Sequence, residues 1–379
     1  MEFRSSHVTP LTAAKQKMSS SKDSKPNEKP RNPALRMLGI PRLKAKLPSR
    51  NWLIFWSSVI SLTGIVVHDR REKTKALNKW QRKVQHLALE PLGPLERARK
   101  VKVFMIGPPG DTIDVTQKHF NDYIKPILVA SATDYELITN SRQGAMRSTI
   151  ADQIRKKRMT PPTRDSAQAE TYSAQFQSRL SPTEEEGGCI IVGRHGYKEY
   201  LSGMQEGWLG PLKPPLYTVP QAETDAETEA KKEEPEKKPE AKPPPIPKPY
   251  ISTEEYAHSP FPNGLDSQAM EPIKFIGHPH ILGFLNTPSR IYRFVTRRYL
   301  AESIAASTAA VVLKNTRQWN EDEDLTQGIS EEMDWPKSVI KAAEKPDNDR
   351  TWKTSLVVDP RVGRLLRVYD LEKDYDDHL

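Results

Sequence analysis

The sequence has little cysteine and little histidine, and this limits the chemistry available to it. Its 379 residues include one cysteine, Cys189, so an intrachain disulfide is excluded. Cys189 lies in the apolar run GCIIVG (188–193), which predicts a small buried side chain on a strand rather than a reactive thiol. Nine histidines are present, and the pair His278 and His280 (GHPH) lacks the flanking ligands of a zinc site. We therefore expect no metal and no other cofactor.

The sequence also lacks familiar catalytic motifs. HExxH, CxxC, G-x-S-x-G and kinase signatures do not occur. GPPGD (107–111) follows a predicted strand, but DTIDVT comes after Gly110, where a phosphate-binding P-loop needs a lysine and a hydroxyl residue. His195, in the glycine turn VGRHGYKE (192–199), is the remaining candidate acid or base, although a lone loop histidine is more often solvated. The sequence thus predicts a protein that is not an enzyme.

Long apolar runs are scarce, since the mean hydropathy is −0.70 and 28% of the residues are charged. The exception is Trp52–Val67, WLIFWSSVISLTGIVV, which contains neither charge nor proline. As a helix it would be about 24 Å long, shorter than the hydrocarbon core of roughly 30 Å. Trp52 and Trp56 favour the headgroup boundary, and flanking arginines can snorkel to lengthen the effective span. We predict a single-pass membrane anchor over 51–68, with a buried core helix as the alternative.

Small residues recur within the predicted span. Ser57, Ser61 and Gly64 fall at i, i+4 and i+7, so on a helix they form a stripe along one face. Stripes of this kind let a second transmembrane helix approach closely. We expect this stripe to pack against a partner helix in the membrane.

Positive charge is concentrated around the predicted span. Residues 1–100 hold 22 Lys/Arg against 7 Asp/Glu, whereas residues 320–379 hold 9 against 16. A basic surface beside a membrane predicts contact with anionic lipids. Nucleic acid is not expected, because the first hundred residues lack the interleaved aromatic residues and metal-ligand spacings of nucleic-acid modules. Basic residues flank both ends of the span, so the positive-inside rule gives no orientation.

The rest of the chain predicts an α/β domain interrupted by a linker. Residues 1–50 are predicted to be a basic, mostly disordered arm. An amphipathic connecting helix and turn follow over 69–99, with an apolar stripe that either lies on the membrane or packs on the next domain. Strands alternating with helices over 100–217 predict a parallel-sheet lobe. The Pro/Glu/Lys-rich segment 218–250 predicts a disordered linker, and 251–379 predicts a mixed second lobe.

Apolar periodicity and turn residues define the predicted elements within these segments. The predicted strands are 101–107, 134–139, 188–193, 354–359 and 363–371. The predicted helices are 68–90, 113–130, 142–158, 170–180, 198–205 and 290–314. The stretch 271–288 alternates short apolar runs with turns.

The order of these elements resembles that of the diacylglycerol-kinase-like lipid kinases. The matching stretches are Lys125-Pro126-Ile127-Leu128, Tyr135-Glu136-Leu137, Ile190-Ile191-Val192-Gly193 and GFLNTPSR (283–290). Where that family has a GGDG turn, this chain has Gly193, Arg194, His195 and Gly196, so the acidic residue that works with metal and nucleotide is missing. The resemblance implies a kinase-like scaffold with a degenerate nucleotide turn and no catalysis. An active lipid kinase is the alternative.

A longer resemblance covers nearly the whole chain. NPALRMLGIPRLKAKLPSRNW (32–52), the predicted span, EPLGPLERARKVKVFMIGPPGD (90–111) and GHPHILGFLNTPSRIYRF (277–294) are similar to the fungal fifty-four-kilodalton subunits of the mitochondrial carrier translocase. The resemblance implies a single-pass, non-enzymatic subunit of the inner-membrane machine that inserts multi-spanning carrier proteins, with its large domain in the intermembrane space. The implied partners are the channel-forming subunit, other translocase membrane subunits and small intermembrane-space chaperones. A role as an assembly factor for an inner-membrane protease stays open as an alternative.

Overall fold

The computed structural model describes residues 49–91, 98–159, 187–215, 246–262, 270–342 and 353–371. Almost all of the predicted arm, the predicted helix over 170–180 and most of the predicted linker lie outside the described residues. The chain divides into two compact units, Met1–Val59 and Ile60–Leu379, and the sheet with its two cores belongs to the second.

Helices and strands alternate along much of the described chain. The helices are α1 (Arg50–Val84), α2 (Ile113–His119), α3 (Lys125–Ala130), α4 (Ala145–Met159), α5 (Arg194–Leu209), α6 (Thr287–Val295), α7 (Arg297–Val312), α8 (Glu321–Asp324), α9 (Ile329–Met333), α10 (Lys337–Ala342) and α11 (Pro360–Gly363). The strands are β1 (Lys100–Ile106), β2 (Asp134–Asn140), β3 (Cys189–Val192), β4 (Ile273–Ile276), β5 (Thr316–Gln318) and β6 (Arg367–Tyr369). The 3₁₀ turns are Gln85–Leu89 and Thr253–His258, and a π-helical turn, Phe120–Ile124, joins α2 to α3.

The strands form one six-stranded sheet in the order β2-β1-β3-β4-β6-β5. Neighbouring strands are parallel except β5 and β6, which are antiparallel. Parallel neighbours need long crossover connections, and helices supply them on both faces. The predicted lobes 100–217 and 251–379 share this sheet. The predicted α/β class is confirmed, and the specific likeness to lipid kinases stays a prediction.

The sheet is buried on both faces, as its alternating side chains require. On β1, Val101, Val103 and Met105 point into a first core with α2, α3 and α7. Phe104 and Ile106 point into a second core with α4 and α5 on the opposite face.

The 35-residue helix α1 has two contrasting halves. Every residue from 50 to 65 is exposed. Further along the same helix, Leu77, Trp80 and Val84 are buried in the first core, and Trp80 Nε1 donates a hydrogen bond to Glu302 Oε1 at 3.0 Å. The apolar stripe predicted after the span therefore packs on the domain; the alternative, that it lies on the membrane, is wrong.

Two predicted helices have different bounds in the structure. The helix predicted over 290–314 begins at Thr287 and is interrupted at Thr296, whose hydroxyl donates to Tyr292 O at 2.8 Å. The backbone of Thr296, with φ of −122° and ψ of 22°, lies outside the helical range and separates α6 from α7. The helix predicted over 198–205 runs from Arg194 to Leu209. Gly203 and Gly207 lie against α4, where a Cβ would come within 2.5 Å of Arg147 O and 2.7 Å of Ile154 Cβ.

The strand predicted over 354–359 is wrong. The side chain of Gln205 takes the place of a neighbouring strand: its Nε2 donates to Val357 O and its Oε1 accepts from Asp359 N, both at 2.8 Å. The strand predicted over 363–371 shrinks to β6, because Asp359 accepts from the backbone at the start of α11 and begins a helical turn instead. Strand β5, which the sequence did not predict, pairs with β6.

Candidate functional site: the carboxyl edge of the sheet and the exposed apolar helices

Three loops meet at the carboxyl edge of the sheet, after β1, β3 and β4. They are 107–111, 193–196 and 277–280. In open α/β sheets this edge is where ligands bind. The predicted degenerate nucleotide turn is the second of these loops.

The degenerate turn is built as the start of a helix. Gly193 has φ of +82°, a conformation that glycine adopts without a steric penalty, and it reverses the chain after β3. Arg194, His195 and Gly196 then form the first turn of α5, rather than the separate tight turn predicted from the sequence. A Cβ at Gly196 would lie 3.3 Å from Ile106 Cγ2, so this glycine lets α5 pack closely on the sheet.

The backbone donors of this edge are occupied by a carboxylate of the same chain. Glu331, on α9, accepts from Arg194 N at 2.8 Å through Oε2 and from His278 N at 2.7 Å through Oε1. Burial raises the pKa of Glu331 to about 7. In a nucleotide-binding loop, N–H groups of this kind would hold a phosphate. Here the anion is supplied internally.

Arg194 fixes the segment that carries Glu331. Its Nη1 donates to Leu325 O and Gln327 O, both at 2.8 Å, and its Nε donates to Glu332 Oε1 at 2.7 Å. The remaining cavity, which Trp335 helps to line, measures about 20 Å³, close to the volume of one water. Arg194 therefore holds the segment with Glu331 and Trp335 over the turn.

His195 is buried, so the expectation of a solvated histidine is wrong. Its Nδ1 lies 3.3 Å from Gly107 O, and its Nε2 lies 3.0 Å from Glu199 Oε1. Glu199 Oε1 also accepts from Gly144 N at 2.7 Å. These contacts join α5 to the loops around it and fix the His195 ring in place.

Three further histidines lie beside this edge. The rings of His119 and His278 are 4.5 Å apart between centroids, and those of His278 and His280 are 5.9 Å apart. Burial lowers the pKa of His119 to about 4 and that of His278 well below its ordinary value, so both are neutral near pH 7. His280 Nε2 lies 3.0 Å from Asp111 Oδ2. In the part of the chain that the structure describes, no group of three or more His, Cys, Asp or Glu is placed to hold a metal ion.

The predicted membrane residues lie on the exposed half of α1. The indoles of Trp52 and Trp56 stack with centroids 6.3 Å apart, and both they and Val67 are exposed. Ser57 Oγ donates to Ile54 O at 2.9 Å, which satisfies the hydroxyl within its own helix.

The small-residue stripe is accessible. Ser57 and Ser61 are exposed, and a Cβ built at Gly64 would meet no atom within 4 Å. The structure does not itself bring a partner to the stripe, so its role stays a prediction.

A second exposed apolar surface was missed by the sequence analysis. Phe284 and Leu285 are 89% and 91% exposed, and Ile291 and Tyr292 of α6 are also exposed. The signal was present in TPSRIYRFV, which has apolar residues on one side of a helix and arginines on the other. Treating 290–314 as one helix hid it, since most of α7 is buried.

These features define a class of protein. It is an α/β protein. Among the described helices, one is long and apolar enough to cross a membrane, and the apolar part of that helix is not buried in the protein. Comparison with known proteins identifies the family to which the chain belongs.

The family model for Tim54, the inner membrane protein import complex subunit, matches residues 32–369. The chain is 40% identical to the mitochondrial import inner membrane translocase subunit tim54 of Neurospora crassa, over 93% of this chain and 83% of that protein. It is 35% identical to the corresponding subunit of Candida albicans, covering 91% and 98%, and 31% identical to that of Schizosaccharomyces pombe, covering 87% and 95%. The chain belongs to the Tim54 family of inner membrane import complex subunits.

Proposed function

We propose that this chain is a non-enzymatic scaffold subunit of the mitochondrial inner-membrane translocase that inserts multi-spanning carrier proteins. Family membership carries the proposal, and the exposed apolar half of α1 supports it. Residues 52–67 span the inner membrane once, and the large domain lies in the intermembrane space.

The stripe of Ser57, Ser61 and Gly64 is the contact with the channel-forming subunit and other membrane subunits. Its small side chains allow close helix approach, and helix association in lipid depends on such packing. The span is short for a bilayer, so neighbouring helices or local thinning would also relieve its hydrophobic mismatch.

The large domain serves as a docking site for the small chaperones that deliver carriers. A docking role needs a fixed surface, and it does not need an open active site. The contacts of Glu331 and Arg194 at the carboxyl edge support this, since an internal carboxylate occupies the donors that a nucleotide would need.

Site-specific photo-crosslinking tests the membrane contact. A photoreactive residue is placed at Ser57, Ser61 or Gly64 of the full chain in mitochondria, with Val59, near the opposite side of the helix by spacing, as the matched control. The proposal predicts capture of the channel subunit from the stripe and little from Val59. Equal capture from Val59, or capture of a protease subunit in place of the channel, would contradict it.

A lipid kinase assay tests the non-enzymatic assignment. The full chain in vesicles containing diacylglycerol, ATP and magnesium is expected to give no phosphorylated lipid above a protein-free control. Lipid phosphorylation that is lost in His195→Ala would show that the turn is an active site.

A further inference from the structure

The loop 283–286 and helix α6 form an exposed apolar surface, here called the α6 face. Its residues line a shallow cavity of about 710 Å³: Phe284, Leu285, Pro288, Ile291, Tyr292 and Val295. No residue of α6 is buried. A nine-residue helix with an open apolar side gains little from folding against its own domain, so another medium is expected to cover it.

The polar side of α6 is basic. Arg293 Nη2 lies 2.7 Å from Asp334 Oδ2. Arg290 of α6 and Arg297, the first residue of α7, are exposed, and neither has a carboxylate of the described chain within ion-pair distance. The Arg297 guanidinium lies over the Phe294 ring, 4.7 Å from its centroid. Apolar and arginine side chains on opposite sides of one helix are typical of helices that lie in a membrane interface.

The α6 face adjoins the point where α1 leaves the predicted span. Val66 and Arg70 of α1 line one cavity of about 380 Å³ together with Phe294 and Arg297. Arg298 N donates to Asp69 Oδ1 at 3.2 Å. Val66 lies two residues before the end of the predicted span, so this junction lies at the depth where lipid headgroups are expected.

We propose that the α6 face is a second membrane contact, in which Phe284, Leu285 and Tyr292 enter the headgroup boundary and Arg290 and Arg297 bind anionic phospholipid headgroups. The bilayer is the occupant because the α6 face continues from the membrane exit of α1 and carries unpaired positive charge toward an anionic surface. This inference rests on the anchor of the proposed function. It adds a lipid-binding site that orients the domain on the membrane.

Depth-dependent quenching tests the contact on the full chain. Single cysteines at Ile60, Tyr292 or Val357 carry a bimane label, and buried Cys189 gives little background. The proteins are reconstituted into phosphatidylcholine vesicles containing phosphatidylglycerol, with or without lipids that carry a nitroxide near the headgroup or midway along the acyl chain. All three positions are exposed, and Val357 lies next to second-core residues on the other face of the sheet.

The lipid quencher is expected to reduce fluorescence at Ile60 and Tyr292 and to leave Val357 unchanged. Quenching at Ile60 without quenching at Tyr292 would overturn the α6 contact and keep the anchor. No quenching at Ile60 would overturn the anchor itself. A label at Tyr292 protected from both lipid quencher and aqueous iodide would show that protein, such as a second copy, covers the α6 face.

Charge variants test the anionic lipid. Arg290→Glu with Arg297→Glu is expected to lose most of the quenching at Tyr292, and so is the unaltered chain in pure phosphatidylcholine vesicles. Lys248→Glu with Arg364→Glu is the charge-matched control, since both side chains are exposed and distant in sequence from α6. Equal quenching at Tyr292 in both double variants and in the unaltered chain, with or without phosphatidylglycerol, would show that headgroup charge plays no part.

Discussion

The two halves of α1 place similar side chains in opposite settings. Trp56, in the first half, is 50% exposed, whereas Trp80, in the second, is 1% exposed and hydrogen-bonded to Glu302. The first half shows apolar residues on all sides, as a helix in lipid does, and the second shows one apolar stripe facing a protein core. A single helix therefore combines an exposed apolar half with a half whose apolar stripe packs in the first core.

The largest expected effect separates the two tryptophans. Trp80→Ala removes a fully buried side chain from the first core and is expected to lower the free energy of unfolding by roughly 3–5 kcal/mol. Trp56→Ala, the matched control, is expected to change it by less than about 0.5 kcal/mol, because its environment is outside the domain core. Urea unfolding of the full chain in detergent micelles measures both. Similar losses from the two variants would contradict the comparison.

The next effect concerns insertion rather than folding. Ile60→Arg places a charge within the predicted span, which costs about 3 kcal/mol at a helix centre and lowers the fraction retained in membranes. Asn78→Arg, on an exposed position of the second half, is expected to leave retention unchanged. Carbonate extraction of mitochondria reports the membrane-bound fraction. Retention of Ile60→Arg at the level of Asn78→Arg would argue against a lipid-spanning segment.

A comparable effect is expected at the carboxyl edge as pH changes. Burial raises the pKa of Glu331 from an ordinary value of 4.5 to about 7, so the folded state holds this proton more tightly. Its contribution to stability is full below about pH 4.5 and is lost as pH rises to about 7, by up to about 3 kcal/mol.

Comparison with Glu331→Gln isolates this group. His119 and His278 are buried in their neutral form, so they lower the free energy of unfolding as pH falls. This contribution is the same in the natural chain and in Glu331→Gln, so it cancels in the comparison. The stability of the natural chain relative to Glu331→Gln is expected to fall between pH 5 and pH 7. A constant difference over that range in urea unfolding would show that Glu331 is not held as described.

The smallest effect is expected on the α6 face. Phe284→Ser should change the free energy of unfolding in detergent by less than about 0.5 kcal/mol, since the ring is exposed. Phe104→Ser, in the second core, should lose several kcal/mol and serves as the control. A large loss from Phe284→Ser would show that its ring packs on the domain.

Much of the sheet was predictable because its strands are short apolar runs between turn residues. The predicted strands over 101–107, 134–139 and 188–193 correspond to β1, β2 and β3, and Cys189 is buried as predicted. Burial raises the pKa of its thiol, in agreement with an unreactive role.

The features that the sequence did not predict depend on distant side chains. Nothing in 354–359 indicates that Gln205 replaces a neighbouring strand there. Likewise, the motif around Gly193 suggests an open turn, because the covering Glu331 lies 138 positions further along the chain. Local periodicity predicts which face of an element is apolar. It does not predict which distant side chain of the same protein packs against that element.

Cysteine accessibility along α1 in mitochondria tests whether the first half of this helix lies in lipid. Single cysteines at Ile60 and Asn78 are challenged with a membrane-impermeant maleimide too large for the outer-membrane pores. Asn78→Cys is expected to react once the outer membrane is opened, whereas Ile60→Cys is expected to react only after detergent is added. Reaction of Ile60→Cys in intact inner membranes at the rate of Asn78→Cys would contradict the claim that the first half of α1 lies in lipid.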